Sequence, residues 1–209
     1  MCCRYFMELS PELRPYIEAA GHSPLRERMV SKLARSMKTG GEVRPTDIVP
    51  VIAPSRSSNP AVFPMVWGFS DPRTPLPIVN ARVETAGTKP MWKDAWEKHR
   101  CVVPASWYYE WEHLTSPSGR KKSGQKYMIQ PKNSSVTYLA GLYRMEERGG
   151  IQVPVFAVLT REPGEGIRFI HDRMPVILPE ELVMQWIAPE VNPAETASLA
   201  LTDMVYEKV

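Results

Sequence analysis

Cysteine is scarce in this chain: three residues in 209, an odd number, which excludes a disulfide framework. Long apolar runs are missing too. None approaches the ~20 residues needed to span a bilayer, and the N-terminus lacks the basic and then apolar regions of a signal peptide. The expectation is therefore a cytoplasmic protein with no membrane partner. Histidine occurs four times, with no Cys-x-x-Cys and no His-x-x-x-His pair, so no metal ligand set and no cofactor is expected. Charge of one sign is nearly absent as a bias, since the net charge of +3 does not by itself call for nucleic acid. Internal repeats and dividing linkers are lacking as well. Residues 1–209 are expected to form one domain with a sizeable core, and a monomer.

Proline, in contrast, is abundant: the 21 prolines cut the chain into short elements. "SPELRPYIEAAG" and "SPLRERMVSKLARSMKTGG" are expected to be helices, each opening on Ser-Pro, a capping residue followed by one suited to the first turn. The second is expected to run to its Gly-Gly stop, with Val30, Leu33 and Met37 as the apolar stripe and Arg28, Lys32 and Arg35 on another face. "KPMWKDAWEKHR" and "PEELVMQWI" have helical patterning. Between and after these, "DIVPVIA", "AVFPMVWGF", "PIVNARVET", "CVVPASWYYEW", "KYMIQPK", "VTYLAGLYRM", "VPVFAVLT" and "RMPVILP" are strand-like, rich in β-branched and aromatic residues and bounded by turn formers. Prolines inside several runs point to edges or bulges. "TSPSGRKKSGQ" has the composition of a mobile hairpin tip. The fold class is α+β, with a mostly antiparallel, barrel-like sheet core and flanking helices.

Four places carry polar residues where a core pattern would not put them. The first is the opening "MCCRYF". If Met1 is removed, Cys2 holds an α-amine and a thiol on adjacent carbons, with reference pKa values of about 7.7–8.0 and about 8.5. An amine attacks an aldehyde to give an imine, and the neighbouring sulfur closes on the imine carbon as a thiazolidine, with the proximity advantage of an intramolecular step. Two reduced cysteines at a terminus with no reaction to perform is the plainer alternative. The second is "VNARVET": if extended, Asn80, Arg82 and Glu84 share one face, suited to phosphate or carboxylate recognition or simply to solvent. The third is "SWYYEW", where Glu110 among aromatics would be partly desolvated and fit for acid–base work, or would be a surface Glu beside an aromatic rim. The fourth is "FIHDRMPVIL", where His171 is the best-placed of the four histidines to carry a proton, although a lone His is commonly structural. Cys101, in "CVVPASW", fits a buried thiol.

In order, Met-Cys at the start, "VWGF", "NARVET", "WYYEW" and "HDRMP" resemble the SRAP family, the SOS-response-associated peptidase or abasic-site processing proteins, from residue 2 to about residue 190. The resemblance implies a covalent DNA-repair function. The N-terminal Cys2 would join the ring-opened aldehyde of an abasic site in single-stranded DNA as a thiazolidine, after autocatalytic removal of Met1, so that the chain would be an SRAP-type peptidase acting on itself with lyase-like chemistry at abasic sites. By the same resemblance Cys2, Asn80, Glu110 and His171 would be the catalytic residues. Cys2 supplies amine and sulfur, Glu110 moves protons during ring opening and imine formation, His171 acts at the sugar C–O bond, and Asn80 holds the amine or sugar. Arg4, Arg82 and Arg173 would bind flanking phosphates, Trp67 would stack on a base and Thr160 would line the pocket. Abasic single-stranded DNA is the implied partner, with nucleoid association through that DNA.

The chain departs from the family pattern twice. Cys3 stands where Gly is usual, putting a side chain where the backbone would otherwise allow close approach. The stretch "GEVRPTDIVPVIAP" keeps only the Pro-Thr of the family's usual segment. Two other functions fit the same residues: a general cysteine peptidase using Cys2, His171 and Glu110, and a non-catalytic single-strand binding module built from the basic helix and the aromatics.

Overall fold

The computed structural model describes residues 2–57, 59–115 and 121–209. The first third supplies β1 (Arg4–Met7), α1 (Arg14–Gly21), α2 (Pro24–Leu33), β2 (Gly41–Val43), β3 (Ile48–Pro54) and β4 (Pro60–Trp67). A small hairpin, β5 (Phe69–Asp71) and β6 (Thr74–Ile78), leads into β7 (Asn80–Arg82), α3 (Val83–Ala86) and α4 (Pro90–Lys98). Five consecutive strands follow: β8 (Arg100–Ala105), β9 (Trp107–Thr115), β10 (Lys121–Pro131), β11 (Thr137–Arg148) and β12 (Ile151–Arg161). The chain ends with β13 (Met174–Pro175), β14 (Ile177–Leu178), α5 (Val183–Ile187), α6 (Pro193–Ser198) and β15 (Met204–Lys208). Of the expected hairpin tip, residues 116–120 lie outside the described residues, and its flanks pair as β9 and β10.

The α+β class with a mostly antiparallel barrel holds. Strands β12, β4, β3, β8 and β11 neighbour one another in that order, and β11 pairs back onto β12, closing a five-stranded ring. Only the β12–β4 contact in the ring is parallel. Closure draws on Gly141 in β11, where an added Cβ would stand 3.0 Å from the Ala157 carbonyl oxygen and 3.0 Å from Cys101 Sγ; a side chain there would push the walls apart. A second sheet, in the order β15-β10-β9-β1-β2, packs beside the ring. The expected single run "CVVPASWYYEW" divides at Ser106, because β8 belongs to the barrel and β9 to the second sheet. At the crossing, Ser106 N–H donates to Phe6 O at 2.8 Å and Ser106 Oγ accepts from Glu8 N–H at 2.8 Å. That step carries Glu110 from one sheet to the other.

Three local expectations are corrected. Helix α2 ends at Leu33, with Ala34 in the left-handed region (φ 49°), well before Gly-Gly. Its inward stripe is Leu25, Met29 and Leu33, four residues apart, while Met37 is buried outside the helix in a bridge to Ile48; the exposed face does hold Arg28 and Lys32. The strand at "VNARVET" stops at Arg82, so Glu84 lies on the α3 turn rather than on a common strand face with Asn80 and Arg82. Trp67 is fully buried. It stacks on Phe156 at 6.1 Å with the planes 5° apart, and its Nε1–H donates to Val79 O at 3.0 Å. A ring so enclosed offers no face to a base. The glycine after it earns its place by conformation, since Gly68 has φ 118° and a Cβ would come within 2.6 Å of Pro77.

Candidate active site

Strand β1 lies antiparallel to β9, with Arg4 opposite Tyr109 and Tyr5 opposite Tyr108. This pairing lays the N-terminus along the strand that bears Glu110. Cys2 is 1% exposed. Burial first, and the Glu110 carboxylate next, push its thiol well above the ordinary cysteine value. Burial likewise raises Glu110, itself 3% exposed, above the usual carboxylate range.

Asn80 arrives from the barrel side. Strand β7 runs parallel to β12, with Asn80 level with Val158 and Arg82 level with Thr160. From there Asn80 Nδ2 donates to the Cys2 carbonyl oxygen at 2.8 Å, fixing the main chain of the residue whose nitrogen and sulfur matter. His171 comes from the loop after a 3-10 turn at Glu165–Ile167. The loop is tied to β9 by His113 N–H donating to Ile170 O at 2.9 Å. His171 Nε2 then stands 3.9 Å from Glu110 Oε1, and Arg173 N–H donates to its Nδ1 at 2.9 Å. Cys2, Asn80, Glu110 and His171 therefore form one cluster where the two sheets meet, with Cys2, Glu110 and His171 buried, although they come from four separate stretches of sequence.

The remaining expected residues sit around it with partners of their own. Arg4 donates from Nη1 to Cys3 O at 2.8 Å, and its Nε lies 3.4 Å from Glu42. Arg173 forms a two-pronged pair with Glu84, 2.7 Å on each side, and donates to Thr160 O at 2.7 Å; it clamps the His171 loop to α3 and β12. Thr160 is buried, its hydroxyl donating to Ala81 O at 3.3 Å. Arg82 is exposed and lines a cleft of about 530 Å³ together with Asn80, Arg73 and Lys89. Cys3 is half-buried, with its thiol raised by burial.

Two residues beside the pocket went unassigned in the sequence. His113 lies two residues past the "WYYEW" motif, and its ring centre is 3.7 Å from that of His171. Asp172 Oδ1 is 2.8 Å from His171 Nδ1. The only signal for either was adjacency to a motif, and only the long-range β9–loop contact reveals that the two converge.

Known proteins resemble this chain in sequence and in fold. The sequence model of the SOS response associated peptidase (SRAP) family matches residues 1–208. The chain is 32% identical over 151 residues to the abasic site processing protein YoaM of Bacillus subtilis, covering 69% of this chain and 64% of that protein. It is 29% identical over 143 residues to the abasic site processing protein YedK of Escherichia coli, covering 68% of this chain and 62% of that protein. The alignments thus span less than two thirds of those relatives' lengths. A crystal structure of a protein from Bacteroides thetaiotaomicron superposes over 100% of this chain and 92% of that one, with a TM-score of 0.74 at 23% identity, a likeness of fold. With a family match over nearly its whole length, this chain belongs to the SOS response associated peptidase (SRAP) family.

Proposed function

We propose that this protein processes abasic sites in single-stranded DNA by capturing them covalently through Cys2. Hydrolysis of the Met1–Cys2 bond consumes one water and frees the Cys2 amine, which as an amide could not form an imine. The amine then adds to the sugar aldehyde, and loss of water leaves an imine. The Cys2 sulfur adds to the imine carbon while its proton passes, by way of a nearby base, to the imine nitrogen, and a thiazolidine results. The net change is aldehyde plus amine plus thiol to ring plus one water.

The pocket suits each part of this sequence. A carboxyl raised by burial, as at Glu110, holds its proton more firmly than an exposed one and can hand it to the sugar ring oxygen and take one back. His171, 3.9 Å from it, is in position to relay that proton. Arg82 and Lys89 give the adjoining cleft a positive lining for a phosphate backbone. The observation that carries the reading is the bond from Asn80 Nδ2 to Cys2 O, which fixes the buried Cys2 in the cluster with Glu110 and His171 rather than leaving it at the surface. A general cysteine peptidase is less well served, because such a nucleophile needs a lowered pKa and burial raises this one.

The test is a denaturing gel after incubation with single-stranded DNA bearing one abasic site. The wild-type chain should give a heat-resistant adduct that Cys2→Ala abolishes. Adduct of equal yield and heat stability from Cys2→Ala would overturn the reading.

A further inference from the structure

We propose that His113, His171 and Asp172 form a divalent-cation site of the zinc class beside the Cys2–Glu110 cluster, and that an ion bound there withdraws His171 from its work. The donor atoms converge: His171 Nδ1 and Asp172 Oδ1 are 2.8 Å apart, His113 Nδ1 is 3.9 Å from the same oxygen, and the set lies within 4.8 Å. A tetrahedral zinc with bonds of about 2.0–2.1 Å separates its ligands by roughly 3.3 Å. Small side-chain rotations therefore bring the three into register. Two imidazoles and one carboxylate suit zinc, with water completing the sphere.

The electrostatics point the same way. His171 Nδ1 accepts a hydrogen bond from Arg173 N–H, a bond that an ion at this nitrogen would replace, and the same nitrogen also faces a carboxylate oxygen at 2.8 Å. A cation placed between these two atoms would be held by both at once. The far side of the ring has what a metal-bound imidazole uses, a carboxylate behind its other nitrogen, since Nε2 faces the buried Glu110. The approach is open, because the side chains of His113 and Asp172 are 37% and 69% exposed while that of His171 is 3% exposed. The sequence expectation of no metal rested on local spacing, and these donors come from β9 and from a distant loop held to it by one main-chain bond.

Zinc binding is measured on the full chain by competition with a chromogenic chelator. Wild type should bind one zinc, and His113→Ala or Asp172→Asn should each weaken it about 10–100-fold. The soft rival ligands are Cys2 and Cys3. The Cys2→Ser/Cys3→Ser variant should keep its zinc, and cobalt in the wild type should lack a thiolate charge-transfer band. Unchanged affinity in both site variants, or loss in the cysteine variant, overturns the site. The inhibitory half rests on the proposed function: zinc should slow adduct formation by wild type and not by His113→Ala, each against its own zinc-free rate. Zinc that binds as expected but leaves the wild-type rate unchanged overturns that half alone, and absence of adduct even without zinc counts against the proposed function, with the site still judged by binding.

Discussion

Glu110 is held in a setting that makes its charged form costly. A carboxyl at 3% exposure gives up its hydration, and its raised pKa means the folded chain holds that proton more tightly than the unfolded chain does. The stability associated with the protonated form is complete below the ordinary carboxyl value of about 4.5 and is lost as pH rises through the raised folded value. Glu110→Gln keeps the size and most of the hydrogen-bonding capacity and removes the charge. Its melting temperature should match wild type in acid and exceed it increasingly toward neutral pH, while adduct formation falls. Thermal melts across that range check this, and a difference that does not change with pH would sink it. Greater stability with lower activity is the pattern expected where a site keeps a strained charge for its chemistry.

At the scale of elements, the site depends on how the His171 loop is held. Arg173 ties it to Glu84 on α3 and to the Thr160 carbonyl on β12. Glu84 is 45% exposed at its side chain, so solvent screens the pair and its contribution is about 0.2–1 kcal/mol. Glu84→Gln should therefore shift the melting temperature by only a few degrees but slow single-turnover adduct formation several-fold, because the loop loses its register against β9. Melts and rates taken on the same preparation check the contrast, and a fall in stability without a change in rate would contradict it. This clamp was hidden in the sequence. Alternation put Glu84 on one face with Asn80 and Arg82, but β7 is three residues long and α3 turns Glu84 toward Arg173. Local rules did find Ser23 and Pro24 opening α2, where capping is decided within a few residues. They failed at the helix end, where Ala34 takes the left-handed turn without a glycine to announce it.

Over the whole molecule, the class and its barrel-like core were legible because strand runs and prolines are local signals, whereas which strands close the ring was not, because that depends on β11 meeting β12 and β8 at once. Trp67 shows the same limit at the site: its motif was plain, but whether the ring faces DNA or the core depends on Phe156, far along the chain. Arg100 is the strongest long-range tie, and no motif marked it. It is 1% exposed at the start of β8. Its guanidinium donates to Trp96 O and Glu97 O at the end of α4, at 2.8 Å each, to Trp186 O at 2.6 Å, to Val191 O at 3.0 Å, and to Ala188 O. It thus satisfies carbonyls that two helix ends would otherwise leave unpaired. Arg100→Met would fill much of the volume and strand those acceptors in a dry setting. With hydrogen bonds to a charged donor contributing about 1.5–3 kcal/mol each, non-additively, the loss should be at least about 3 kcal/mol, or roughly 6–12 °C in melting temperature. The site is built by β1, β7, β9 and the His171 loop, whereas the guanidinium of Arg100 bonds to carbonyls of α4 and of the segment from α5 to Val191, so adduct formation well below the transition should persist. Denaturant melts paired with the adduct assay decide it: an unchanged midpoint would mean water or neighbouring groups take over the five carbonyls, and Arg100 would not be the tie between the helices and the barrel.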